Sequence, residues 1–187
     1  MSTVDHTIAA GGVTPSATIK VWDPFVRVFH WSLATLFLGA YATGENAGQV
    51  HIAAGYAIAG LIALRIGWGL VGPRHARFSN FVRSPREVLT YLRDVIMFRA
   101  PRYLGHNPAG GVMIIALLVL LLGTGLTGYL MTTDVFWGAK WIEEVHEALA
   151  NLTVGLIVFH VVGVLISSLK DGENLVKSMI TGWKRHT

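Results

Sequence analysis

Residues 110–131, GGVMIIALLVLLLGTGLTGYLM, contain no charged side chain. A helix needs about 20 mostly apolar residues to cross a hydrocarbon layer about 30 Å thick, and this stretch is long enough. Three others have similar character: Phe25 to Thr43, Val50 to Gly72 and Val145 to Leu169. The composition of the 187-residue chain agrees, with 52% hydrophobic residues, 14% charged residues and a mean hydropathy of +0.52. Water-soluble domains carry about 25% charged residues, so much of this surface must face something other than water. Disorder, a coiled coil and a typical cytosolic enzyme are excluded on that ground. The expected fold is an all-α membrane protein, a four-transmembrane-helix bundle.

Charge placement orients the bundle. The connection between spans two and three carries Arg74, Arg77, Arg83, Arg86, Arg93, Arg99 and Arg102 against Glu87 and Asp94 alone. Lys170, Lys177, Lys184 and Arg185 follow span four. Gly44 to Gln49 has no Lys or Arg, and the loop before His146 has only Lys140 among Asp134, Glu143 and Glu144. Basic loops stay in the cytoplasm, so both termini are expected there, in a multi-pass protein of a bacterial inner membrane. The net charge of +4 then reflects topology and anionic lipid headgroups, and nucleic acid is not an expected partner. Residues 1–20 are polar and small with no apolar run, which predicts a mobile cytoplasmic tail and no cleavable signal peptide. Residues 21–187 form the membrane domain. Between spans two and three, Pro85 to Met97 has the apolar spacing of an interfacial amphipathic helix.

Ionisable groups inside membrane helices are costly and point to function. Arg27, His30, Arg65 and His160 fall inside the spans, and His51 and His146 open spans two and four. His146 and His160 are 14 residues apart, about 40° short of four full turns, so they share a helix face about 21 Å apart along its axis. Span one supplies His30 at the inner level and span two supplies His51 at the outer level. Two pairs are therefore expected within the bundle: His30 with His160, and His51 with His146. Neutral imidazole ligates iron, and a six-coordinate haem takes two opposed axial ligands. Zinc is the rival, although a structural zinc site prefers four ligands at one level. Cysteine is absent, which removes thiolate metal sites and covalent haem attachment through C-x-x-C-H. Gly55 and Gly163, each near one turn from a histidine, would allow a flat group close to the backbone. Gly123, Gly125 and Gly128 in span three fit ordinary helix packing equally well.

The run Val21-Trp-Asp-Pro-Phe-Val-Arg-Val-Phe-His-Trp31 resembles the opening of the bacterial cytochrome b561 and nickel–iron hydrogenase b-type cytochrome family. Similar features follow in order: His51, Leu64-Arg-Ile-Gly-Trp-Gly69, Ala76-Arg-Phe78, Gly105-His-Asn-Pro108, Thr127-Gly128, His146-Glu147, His160 and Glu173-Asn-Leu-Val-Lys177. The likeness spans about residues 20 to 185. It implies a four-helix membrane cytochrome with two b-type haems whose axial ligands are His30, His51, His146 and His160. It also implies electron transfer between a partner at the outer face and the quinone pool or another carrier.

Other residues have weaker claims. Arg27 lies one turn before His30, and Arg65 lies 14 residues after His51 at the inner level. Arginine binds carboxylates in a fork, so Arg27 is a candidate for a haem propionate and Arg65 for a propionate or a quinone. His106 and Asn107 are candidates for contact with the inner cofactor or quinone, although Asn107 and Pro108 also read as the cap and first residue of a helix. Trp31 and Glu147 adjoin ligands, while His6, His75 and His186 read as solvated. The expected activity is that of an electron carrier rather than a stand-alone enzyme. Its outer partner would be a c-type cytochrome or hydrogenase-like subunit docking near Asp134, Glu143 and Glu144. Oxidation of superoxide with quinone as acceptor is the alternative. It would need an electropositive outer entrance, where Lys140 is the only cation. A haem-free metal relay would favour intramembrane carboxylates, and the spans have none away from their ends.

Overall fold

A computed structural model describes residues 18–44 and 48–185. Most of residues 1–20, together with His6 and His186, lies outside the described residues. Four long helices form the body: α1 (Pro24–Ala42), α2 (Gln49–Val71), α5 (Pro108–Met131) and α6 (Lys140–Asp171). Each is long and apolar enough to cross a membrane, and no more than 22% of any of these apolar windows is buried within the protein. Side chains such as Leu38, Leu64, Val119 and Phe159 are more than half exposed, as expected where lipid completes the packing. Shorter helices lie between and after the spans: α3 (Phe78–Phe81), α4 (Pro85–Ile96) and α7 (Leu175–Thr181).

Capping fixes where these helices start. Asp23 accepts from the Val26 N–H at 3.1 Å and Pro24 follows it. Ser84 accepts from Glu87 N–H and donates to the Glu87 carboxylate at 2.8 Å. Asn107 accepts from Gly110 N–H at 2.7 Å ahead of Pro108. These residues fill helix N–H groups that have no partner within the helix. At the far end of α6, Gly172 takes a left-handed φ of 58°, and Glu173 N–H bonds back to Ser168 O at 3.1 Å. Glycine permits that backbone conformation at little cost.

The two halves of the bundle are α1 with α2 and α5 with α6, joined mainly through α2 and α5. Their shared core is Phe29, Phe37 and Ala40 of α1, Ile58 and Ile62 of α2, and Leu118 and Leu121 of α5, with Val154 and Ile157 of α6 against it. Tyr41 donates to Asn151 Oδ1 at 2.7 Å, tying α1 to α6. Span four is longer than its apolar stretch suggests, because the polar turn Lys140–Glu144 extends the helix beyond it.

One departure from the all-helical expectation is a small antiparallel sheet. Strand β1 (Thr18–Lys20) pairs with β2 (Trp183–Arg185), Ile19 opposite Lys184. The end of the stretch read as a mobile tail is thus held against the end of the chain. Lys184, counted in the sequence as a topology charge, is only 4% exposed and donates to the carbonyls of Tyr103 and Leu104 at 3.2 and 3.0 Å. Burial lowers its pKa. Glu173 accepts from Arg102 at 2.8 Å and from Arg185 N–H at 2.6 Å. Burial alone would raise its pKa, but these donors hold it below the usual carboxylate range. This network closes the arginine-rich end of the bundle.

Gly111 shows how tightly that end is assembled. A Cβ there would lie 2.5 Å from the Phe81 carbonyl oxygen, a backbone atom of α3. Gly111→Ala should therefore destabilise the protein by about 1–3 kcal/mol, the usual cost of overpacking. Thermal unfolding in detergent would register this as a lower midpoint.

Candidate functional site

The bundle brings the four intramembrane histidines together as two pairs. His30 of α1 and His160 of α6 have ring centroids 6.3 Å apart. His51 of α2 and His146 of α6 have theirs 6.1 Å apart. Because His146 and His160 occupy one uninterrupted helix, the two levels are separated by about 21 Å along its axis. Among the described residues no three His, Cys, Asp or Glu side chains come together to hold a metal ion. The arrangement is therefore two sites of two imidazoles each, unlike the four-ligand pattern of structural zinc.

The outer pair has a defined proton arrangement. His51 Nδ1 lies 2.9 Å from the carbonyl oxygen of Ala40, and His146 Nδ1 lies 3.0 Å from that of Thr124. A carbonyl can only accept, so both Nδ1 atoms carry the proton and both Nε2 lone pairs remain available. Thr127 donates to the Gly123 and Thr124 carbonyls and receives the His146 Nδ1 proton at 3.0 Å as a second acceptor. Gly128 lets the ring lie against α5, since a Cβ there would be 3.0 Å from His146 Cε1. Metal-ligating histidines commonly donate their other ring N–H in this way, which fixes orientation and raises basicity.

These residues fit a bis-histidine haem in spacing and in donor chemistry. Two imidazole nitrogens on opposite sides of a metal, each about 2 Å from it, put the ring centres about 6 Å apart. Nothing lies within 4 Å of a Cβ built at Gly55 or Gly163, so the space beside His51 and His160 is open. At the inner level several buried polar atoms have no hydrogen-bond partner: His30 Nδ1, Arg65 Nη1, Trp68 Nε1, Arg27 Nε and His106 Nδ1. Most are donors, and an acceptor such as a haem propionate would satisfy them.

The remaining predicted residues separate. Arg65 is 3% exposed, donates through Nη2 to Ala76 O at 3.1 Å and lies over the Phe78 ring at 4.9 Å. Its Nη1 is the free end. Arg27 directs Nη1 to Thr181 O at 2.9 Å, so one arm of its fork holds α7. His106 is wedged between Trp22 and Phe81, with ring centroids at 4.6 and 4.8 Å. Burial first, then the positive charges of Arg65 and Lys184, push its pKa down to about 3. Asn107 spends its carbonyl oxygen on the cap of α5. Trp31 meets His30 edge-on at 5.1 Å, while Glu147 is exposed. His75 is half-buried rather than solvated: a Cβ on Gly105 would lie 3.1 Å from its ring, and burial lowers its pKa. Sequence reading missed Ala40, Thr124 and Thr127 as supports of the outer pair. The Thr127-Gly128 pair was the available signal.

Residues 21–182 match the model of a family described as prokaryotic cytochrome b561. The chain belongs to that family. It is accordingly a multi-pass membrane cytochrome, a haem-binding b-type protein of electron transport. It is similar to a probable Ni/Fe-hydrogenase B-type cytochrome subunit of Rhizobium leguminosarum bv. viciae, 24% identical with 96% of each chain covered. A protein of the same description from Azotobacter chroococcum mcd 1 is 23% identical, over 92% of this chain and 90% of its own. The putative cytochrome YdhU of Escherichia coli (strain K12) is 28% identical over 96% of this chain and 81% of its own. No solved structure matches the chain.

Proposed function

We propose that this cytochrome carries electrons across a bacterial inner membrane through two b-type haems. His30 and His160 would hold the inner haem, and His51 and His146 the outer one. The observation that carries this reading is the pairing itself: rings 6.3 and 6.1 Å apart at two depths, the outer pair with Nδ1 protons committed to backbone carbonyls. Bound haem supplies reversible one-electron chemistry at its iron. The chain's own contribution is to present Nε2 lone pairs, to exclude water from the rings with the Phe29, Phe37, Ile58 and Leu118 core, and to offer Arg65 Nη1 to a propionate. Arg27 Nε and His106 Nδ1 are further buried atoms without a partner on that side.

Both termini lie on the cytoplasmic side in this reading, where the arginine-rich loop and the closing network gather. The names of the relatives from Rhizobium and Azotobacter support a hydrogenase-type redox partner, which this reading docks at the outer face. Quinone or another carrier would accept electrons, and a c-type cytochrome is the alternative outer partner. Superoxide oxidation has less support. The outer cation, Lys140, lies 3.6 Å from Glu143, which offsets the positive charge needed to draw in an anion.

The test is a haem-to-protein ratio with oxidised and reduced optical spectra of the protein purified in detergent. Two low-spin b-type haems per chain are expected. One haem would mean that one histidine pair is assigned wrongly, and none after haem supplementation would favour a metal relay.

A further inference from the structure

Helix α4 lies between the ends of α2 and α5 on the arginine-rich side of the bundle, with Val88 and Tyr91 buried and the helix packed on α5. Its next face is also apolar but uncovered. Leu89 is 67% exposed, Leu92 42% and Ile96 77%, and Phe98 just beyond the helix is 92% exposed. At about 100° per residue these three helical side chains fall within an arc of about 60°. Charge around the helix is sorted by sign. Arg86 and Arg93 border one edge of the apolar arc about 40–60° from Leu89, whereas Glu87 and Asp94 lie about 140–160° from Leu89. A shallow cleft of about 290 Å³ on the side of the two acids is lined by Glu87, Thr90, Tyr91 and Asp94, and Arg86 also contributes to it.

A protein-facing surface has no reason to sort its charges in this way, but a membrane surface does. Apolar side chains enter the boundary between headgroups and acyl chains, arginines reach phosphates at the rim, and acids turn to water. We infer that α4 is a lipid-binding foot: Leu89, Leu92 and Ile96 insert into the leaflet on the arginine-rich side, and Arg86 and Arg93 bind the phosphates of anionic phospholipids. The foot would pin the closing network of Arg102 and Glu173 at a fixed depth, because the segment from Arg99 to Tyr103 follows α4 directly.

The chain has no cysteine, so single labelling sites can be introduced cleanly. Full-length protein carrying Leu89→Cys, Leu92→Cys, Ile96→Cys, Thr90→Cys or Asp94→Cys would be spin-labelled and placed in nanodiscs containing phosphatidylglycerol. Collision with dissolved oxygen would then be compared with collision with a water-soluble nickel chelate. Positions 89, 92 and 96 should favour oxygen, and positions 90 and 94 the chelate, giving a change of sign in the logarithm of the ratio. Equal chelate access at all five positions would overturn the proposal. Loss of both collisions at 89, 92 and 96 would also overturn it, since protein rather than lipid would then cover the face. Adding Arg86→Gln and Arg93→Gln should make the label at 96 shallower in phosphatidylglycerol but not in phosphatidylcholine. The same depth in both lipids would remove the anionic component of the inference.

Discussion

Replacing His160 with alanine is expected to halve the haem content of the purified protein and leave the remaining haem low-spin. His30 alone cannot supply two opposed axial ligands, and among the described residues the other histidines on that side are held elsewhere: His106 is wedged between Trp22 and Phe81, and His75 packs against Gly105. The outer pair should persist because it is about 21 Å away along α6 and is oriented by the carbonyls of Ala40 and Thr124. Sites that far apart with no shared partner behave independently. A methionine at the same position separates ligation from packing, since methionine is itself an axial ligand that raises the haem potential. His160→Met should restore a second haem with a shifted spectrum and potential. Retention of both haems in His160→Ala with an unchanged spectrum would sink the inner assignment. Loss of both haems with helical content preserved would show that the two levels are not separate sites.

Some of this was legible in the sequence because it depended on short-range periodicity. The absence of charge over residues 110–131 reveals α5 directly, and the 14-residue spacing of His146 and His160 survives because α6 has no proline and stays helical through Gly155. The pairing of His30 with His160 follows once each histidine is assigned to a depth. The supports of the outer pair were less visible, because Ala40 and Thr124 act through backbone carbonyls that every residue possesses. Lys184 was illegible for a different reason. Its burial depends on carbonyls at Tyr103 and Leu104, some 80 positions away, and on the pairing of Thr18–Lys20 with Trp183–Arg185 across most of the chain. Arg27 and Asn107 show the limit of spacing arguments. Each occupies the expected position, yet each spends a polar atom on the protein itself, Arg27 on distant Thr181 and Asn107 on neighbouring Gly110.

Arg65→Leu is expected to lower the midpoint potential of one haem by about 70 mV. The guanidinium lies 14 residues from His51 along α2, at the level of the His30–His160 pair, and it forms no ion pair among the described residues. A positive charge favours the form of a neighbouring centre that carries the extra electron. At a separation of about 10 Å and an effective dielectric of about 20, that preference is about 1.7 kcal/mol, equivalent to about 70 mV for one electron. The leucine would also leave the Ala76 carbonyl without its donor, at a stability cost of about 1–3 kcal/mol. Arg65→Lys separates the two effects. It retains the charge but lacks the planar fork that bonds Ala76 while lying over Phe78. A potentiometric titration of the lysine variant should give a potential close to the parent, with a reduced thermal midpoint. If both variants lose stability while neither potential moves, Arg65 is a structural clamp on the loop after α2. A fall in potential confined to the leucine variant would instead assign its charge to the inner haem.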